Sequence, residues 1–287
     1  MDVTDLLPGQ YRNLIASYMT DSVREIRFRI GRECVLCGQN NVFVKDFKPS
    51  AEDVRKLLLH LCDYALYAHE EQLKSGYMTL SGGHRVGIAG SFVTENGKPV
   101  RLSDVQSLCI RVARQIPVRK EVSDLFFAGK EPLSSLILSP PGMGKTTLLR
   151  EIAKIAGDNG IQTAIADERG ELAACFRGEP QLDVGKCTDV MENLPKSAAI
   201  PMLVRAMSPR LIVCDEIGSM EDKTAIEEAV RCGCKVLCSA HGNGIPDAKK
   251  RHNLSGLLQE RVFDRIVVLG VEVGRVCGVY DGEGKPC

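Results

Sequence analysis

Apolar residues recur at helical spacing over residues 53–68, where Val54, Leu57, Leu58, Leu61, Cys62 and Ala65 would share one face. The chain before this stretch mixes short apolar runs with polar residues and shows no sustained period. After it comes a glycine-rich stretch, residues 81–90, and then a strand-like run at Ser91-Phe92-Val93. Those glycines predict tight turns or close backbone approach within a small sheet. A further strand-like run covers 108–112, just ahead of Ile116-Pro117.

From Ser135 onward the pattern changes to short strand-length runs alternating with helical ones. Leu136-Ile137-Leu138 leads into a proline/glycine loop and a helix bearing Leu148, Leu149, Ile152 and Ile155 on one side. A strand is expected over 161–166 and a long loop over 177–193. The next helix can open at Pro195, although Pro201 leaves its start open, and Pro209 closes it after Met207. Residues 211–214 read as a buried strand and 221–232 as a helix, with Gly233 placed to end it. Strands over 235–239, 265–269 and 272–280 complete the chain. This alternation predicts an α/β fold with a mostly parallel, helix-covered sheet. The expected organisation is a smaller N-terminal α/β domain over 1–118, a linker over 119–131 and a P-loop domain over 132–287.

Composition narrows the partners. The chain has 287 residues, 44% of them hydrophobic and 26% charged, enough for a sizeable core in about two domains. Its 37 Lys and Arg balance 37 Asp and Glu, which argues against coating nucleic acid or anionic lipid by bulk attraction. Aromatic residues make up only 5%, few for a stacking surface that grips single strands. The opening MDVTDLLPGQ has two acids and no basic cluster, so no signal peptide is read there. No apolar stretch approaches the roughly 18 residues of a membrane span. A cytoplasmic location is expected, with the 12 cysteines reduced and packing as small hydrophobes. Neither Cys34 and Cys37 nor the cluster Cys232, Cys234, Cys238 and His241 reads as a tetrahedral metal set, since the latter spreads over a helix end and a strand.

The strongest chemistry lies in Ser139-Pro140-Pro141-Gly142-Met143-Gly144-Lys145-Thr146-Thr147, between a strand and a helix. It matches the phosphate-binding P-loop pattern, with Ser139 in the first glycine's place. Gly142 and Gly144 allow backbone N–H groups to curl around phosphate oxygens at a helix start. Lys145 would neutralise the β- and γ-phosphates of ATP, and Thr146 would ligate Mg²⁺. Downstream, Leu211-Ile212-Val213-Cys214-Asp215-Glu216 reads as a Walker B strand. Asp215 would hold the Mg²⁺ through water, and Glu216 would polarise the attacking water. Asp167, Glu168 and Arg169 follow one strand, where the acids could orient water or Mg²⁺. His241 follows the strand expected over 235–239 and could sense the γ-phosphate or link nucleotide state to a neighbouring segment.

The order of these motifs resembles the secretion-ATPase branch of RecA-like P-loop ATPases. A closer resemblance rests on Gly82-Gly83-His84-Arg85-Val86-Gly87, Asp167-Glu168-Arg169, Pro180-Gln181-Leu182-Asp183-Val184-Gly185 and Thr188-Asp189-Val190. It continues through Leu203-Val204-Arg205-Ala206-Met207-Ser208-Pro209, Asp215-Glu216-Ile217-Gly218 and Ala240-His241-Gly242. Together these resemble the stage III sporulation protein AA family of endospore-forming bacteria. Cys187 stands where that family has arginine, so no role is carried over to it. Asp215-Glu216-Ile217-Gly218 also differs from the Gly-Glu-Ile-Arg typical of general secretion ATPases.

The resemblance implies a RecA-like ATPase using ATP and Mg²⁺. It would work in the mother-cell cytoplasm as a hexameric ring, docked by protein contact on membrane-embedded sporulation proteins that join mother cell to forespore. The catalytic set it implies is Glu216, Lys145, Glu168, Arg205 and His241. An arginine supplied in trans is expected from Arg85, Arg111, Arg114, Arg169 or Arg205, of which Arg85 and Arg205 match the family motifs best. Other readings are a nucleotide-locked ring scaffold with little turnover and a nucleic-acid-dependent ATPase, the latter disfavoured by the charge balance. A small-molecule kinase is further disfavoured because no substrate lid follows the P-loop.

Overall fold

The computed structural model describes residues 2–270 and 272–287. The chain divides into two compact units, residues 1–114 with 174–181, and residues 115–173 with 182–287. Residues 174–181 thus fold with the first unit, although sequence placed them inside the P-loop domain.

In the first unit, helix α1 (Gly9–Ala16) precedes strands β1 (Glu25–Arg29), β2 (Arg32–Cys37) and β3 (Asn41–Phe43). Helices α2 (Ala51–Leu61) and α3 (Glu70–Lys74) follow, then β4 (Tyr77–Thr79), β5 (Arg85–Glu95) and β6 (Lys98–Arg111). The strands form one antiparallel sheet in the order β3-β2-β1-β6-β5-β4. Alternation drives it: Ile26 and Phe28 of β1 are buried, whereas Glu25, Arg27 and Arg29 are not. Ser50 and Asp53 cap α2 reciprocally, and Val54, Leu57, Leu58 and Leu61 form its buried face. The helix stops well short of the expected residue 68. Asp63 and Tyr64 turn left-handed (φ 49° and 59°), which breaks the helix where apolar spacing alone would continue it. The strand expected over 91–93 is the middle of the longer β5. Glu95 pairs with Lys98 across Asn96-Gly97, both at positive φ, the two-residue turn that suits a twisted hairpin.

The second unit opens with α4 (Lys120–Ser123) and the short pair β7 (Phe127–Ala128) and β8 (Glu131–Pro132), so the stretch expected as a linker is partly structured. Then come β9 (Ser135–Ser139), α5 (Lys145–Asp158), β10 (Thr163–Asp167), β11 (Thr188–Glu192), α6 (Lys196–Met207) and β12 (Leu211–Glu216). Helix α7 (Met220–Arg231), β13 (Lys235–His241), α8 (Ile245–Ala248), α9 (His252–Gln259), β14 (Arg265–Leu269) and β15 (Val276–Asp281) complete it. The sheet runs β11-β10-β12-β13-β9-β14-β15, parallel except for β15. Every residue of β9 and β10 is buried, as expected of strands covered on both faces. The long loop expected over 177–193 contains β11, a strand whose polar composition hid it. Helix α6 starts at Lys196 after Pro195 and continues through Pro201.

Gly185 shows how closely the unit packs. It is left-handed (φ 97°), and an added Cβ would meet the Lys154 carbonyl oxygen at 2.5 Å. Gly185→Ala is expected to destabilise the protein by about 2 kcal/mol, from overpacking and backbone strain together. Denaturant unfolding checks this, and an unchanged midpoint would show that α5 yields freely.

Candidate functional site

The parallel register brings the distant motifs together. Ser139 ends β9 directly opposite His241 on β13, and Glu216 of β12 lies opposite Ser239 of β13. These strand ends open on a cavity of about 390 Å³. Its walls include Pro141, Gly142, Gly144, Lys145, Thr146 and Thr147 from the P-loop, with Arg169, Glu171, Asp215, Glu216, Ser239 and His241 around them. Of the other expected site residues, Ser139, Pro140 and Met143 form the rest of the loop. Glu168 is not among these wall residues and pairs with a lysine.

Gly142 and Gly144 are both left-handed (φ 77° and 93°). No atom lies within 4 Å of a Cβ built on Gly142, so backbone conformation and not space requires glycine there. Ser139 is fully buried in β9 and donates its hydroxyl to the Pro140 carbonyl (2.8 Å), so the first position accommodates a side chain. The Gly274 N–H donates to the Met143 carbonyl (3.0 Å) and ties the loop between β14 and β15 to the P-loop.

Lys145 is buried at the start of α5. Its ammonium donates to the Ser139 carbonyl (3.1 Å), the Ser139 hydroxyl (3.3 Å), the Pro140 carbonyl (3.2 Å) and His241 Nδ1 (2.9 Å). Burial holds its pKa below the ordinary lysine value, against the pull of the Glu216 carboxylate. An ammonium has no lone pair, so His241 Nδ1 accepts and the ring proton sits on Nε2. That nitrogen lies 2.9 Å from Glu216 Oε2 and donates to it. Lys145, His241 and Glu216 therefore form one connected chain.

A second polar group lies at the ends of β10 and β12. Asp167 is fully buried and accepts from the N–H groups of Glu171 (2.8 Å), Leu172 (3.0 Å) and Ala173 (2.9 Å). It was expected to orient water or Mg²⁺; its oxygens instead hold the following loop in place. Arg150 supports the same loop by donating to the carbonyls of Leu172 (2.6 Å) and Glu171 (2.8 Å). Glu168 faces Lys196 at 2.6 Å, and the same ammonium lies 2.9 Å from Asp215 Oδ1. Burial opposes the charge on Lys196, but Glu168 and Asp215 together raise its pKa above the ordinary lysine value. Burial raises the Asp215 carboxyl, with Lys196 opposing.

Lys196 is the functional candidate that sequence reading missed. Its signal was a cation opening a helix that, after Ser197, runs into the apolar Ala198-Ala199-Ile200.

The arginines separate by location. Arg169 lies at the cavity, whereas Arg205 is exposed on α6 and donates to the Pro201 carbonyl (3.1 Å). Within the first unit, Arg85 stacks over Tyr77 (4.5 Å) and Arg111 lies 3.4 Å from Glu25. Arg114 donates to the carbonyls of Thr20 (3.2 Å) and Val23 (2.8 Å), which makes it a brace of its own unit.

All 12 cysteines are free. Among the described residues, no group of three or more His, Cys, Asp or Glu is placed to hold a metal ion. Among the same residues, no helix is long and apolar enough to cross a membrane.

Comparison with known proteins bears on the fold and the family. The pilus retraction motor PilT with bound ADP shares the fold at a TM-score of 0.63, with 15% identity over 93% of this chain and 78% of that one. The ATPase DotB of Legionella pneumophila aligns at a TM-score of 0.57, with 14% identity over 86% of this chain and 72% of that one. Among sequences, the stage III sporulation protein AA of Bacillus subtilis is 38% identical over 99% of this chain and 96% of its own length. The family model for sporulation stage III, protein AA, matches residues 1–286. The chain, an α/β protein that shares the fold of PilT and DotB, belongs to the stage III sporulation protein AA family.

Proposed function

We propose that this chain binds ATP with Mg²⁺, hydrolyses it, and acts as the motor of a sporulation membrane complex. The observation that carries the proposal is the chain Lys145–His241–Glu216 at the mouth of the P-loop cavity. A phosphate-binding lysine, a candidate sensor and a candidate base in direct contact are the parts that hydrolysis requires, and a turn between strand and helix has no use for them.

The residues fit both groups. Left-handed Gly142 and Gly144 leave the loop's N–H groups free to curl around phosphate, and the helix start of α5 favours negative charge. Thr146 and Asp215 face one cavity and would hold Mg²⁺, Asp215 through water. When bound, the metal would supply charge neutralisation to the phosphates. Glu216 would take the proton of the attacking water. His241 keeps that carboxylate oriented through Nε2–H, and its Nδ1 reports whether Lys145 has turned toward phosphate. Arg205, exposed and outside its own cavity, suits an arginine supplied to a neighbouring subunit of a homo-hexamer.

Family membership supports a role in sporulation. Zero net charge favours docking on membrane-embedded proteins from the cytoplasmic side by specific contact, with neither lipid nor nucleic acid drawing the protein. The test is Mg²⁺-dependent phosphate release by the full chain, alone and with its purified membrane partner, together with the mass of each. Release no faster than that of a P-loop lysine variant in both states would overturn the motor. Ring formation that depends on nucleotide without turnover would establish the scaffold reading in its place.

A further inference from the structure

Lys196 is a buried cation in a place that disfavours one. It is the first residue of α6, where the helix dipole presents its positive end, and it is only 6% exposed. Both effects oppose a charged ammonium, so its presence depends on its two carboxylate partners. Those partners come from different strands: Glu168 follows β10, and Asp215 lies in β12. The ammonium therefore bridges the acidic box and the Walker B strand. Asp167 accepts from three backbone N–H groups, and Lys196 is the cation in direct contact with Glu168 and Asp215.

Two carboxylates this close, one of them at the cavity that Thr146 also lines, would form an oxygen-rich site attractive to a bare divalent cation. An ammonium between them removes that attraction. Its charge also faces one oxygen of Asp215, Oδ1, at 2.9 Å.

We propose that Lys196 is a positioning residue that makes Mg²⁺ entry conditional on nucleotide: its ammonium occupies the space between Glu168 and Asp215 and suppresses metal capture by the empty site. This rests on the ATP and Mg²⁺ reading above. Metal then enters only when phosphate oxygens supply the missing charge.

Mn²⁺, followed by the loss of its free electron-spin resonance signal, serves as the probe on the full chain with and without ADP. Wild type is expected to bind Mn²⁺ with ADP and hardly at all without it. Lys196→Met is expected to bind Mn²⁺ without nucleotide at least about tenfold more tightly than wild type, because a compensating charge is gone. Lys196→Arg, which keeps the charge, should stay within about threefold of wild type. If Lys196→Met is too unstable to titrate, its thermal midpoint is the readout, and millimolar Mn²⁺ should raise it while leaving that of wild type unchanged. Equal nucleotide-free Mn²⁺ binding by wild type and Lys196→Met, or no rise in that midpoint, overturns the proposal. Failure of wild type to bind Mn²⁺ with ADP overturns the nucleotide reading instead.

Discussion

Lys145→Ala is expected to remove ATP hydrolysis, with phosphate release falling at least about 100-fold and nucleotide affinity at least about tenfold. The ammonium is the one full positive charge that the P-loop itself contributes, and it is buried, where a charge acts more strongly than in water. Alanine leaves the left-handed glycines and the α5 start intact, so weak anion binding by backbone N–H groups should persist. The Ser139 and Pro140 carbonyls lose one donor, but the first still accepts from the Gly242 N–H (3.2 Å) and the second from the Ser139 hydroxyl (2.8 Å). Fluorescent-nucleotide titration and phosphate release, with circular dichroism to establish folding, check this. A variant that binds and turns over ATP like wild type would remove the P-loop from the mechanism.

Glu216→Gln should separate binding from chemistry. The amide oxygen can still accept from His241 Nε2–H, so the contact seen at 2.9 Å survives. The ability to take a proton does not. Turnover is expected to fall by about 10²–10⁴-fold, while nucleotide affinity changes by less than about threefold. Unchanged turnover would assign the base elsewhere, and a parallel loss of affinity would mean that Glu216 shapes the pocket and does not act on water.

The sequence carried what is local. The P-loop occupies nine consecutive residues, and a strand of apolar residues ending in Asp215-Glu216 is legible without partners. Helix α2 was visible from its apolar face, but not its end, which depends on two left-handed residues. The first-unit sheet was mostly missed because β1 and β2 are short and interrupted by charge, and β3 is only three residues long. The turn at Asn96-Gly97 was a readable hairpin signal that went unused.

Long-range pairing was beyond reach. Nothing in the chain order says that His241 lies opposite Ser139, or that Lys196 would stand between Glu168 and Asp215. Asp167 shows the limit most clearly. An acid at a strand's end has the same local signature whether it faces a ligand or holds a loop, and only the N–H groups of residues 171–173 decide between them.

The partners of Lys145 carry one more consequence. With its ammonium already satisfied by the loop's own carbonyls and by His241, the P-loop competes with its nucleotide. An incoming phosphate must displace those partners, so affinity falls short of what the bare lysine would give. A departing product finds them ready to return. Under the motor reading, this self-occupancy favours rapid emptying after each turnover, and the exchange rate of the resting site, more than its tightness, would set the pace of a ring.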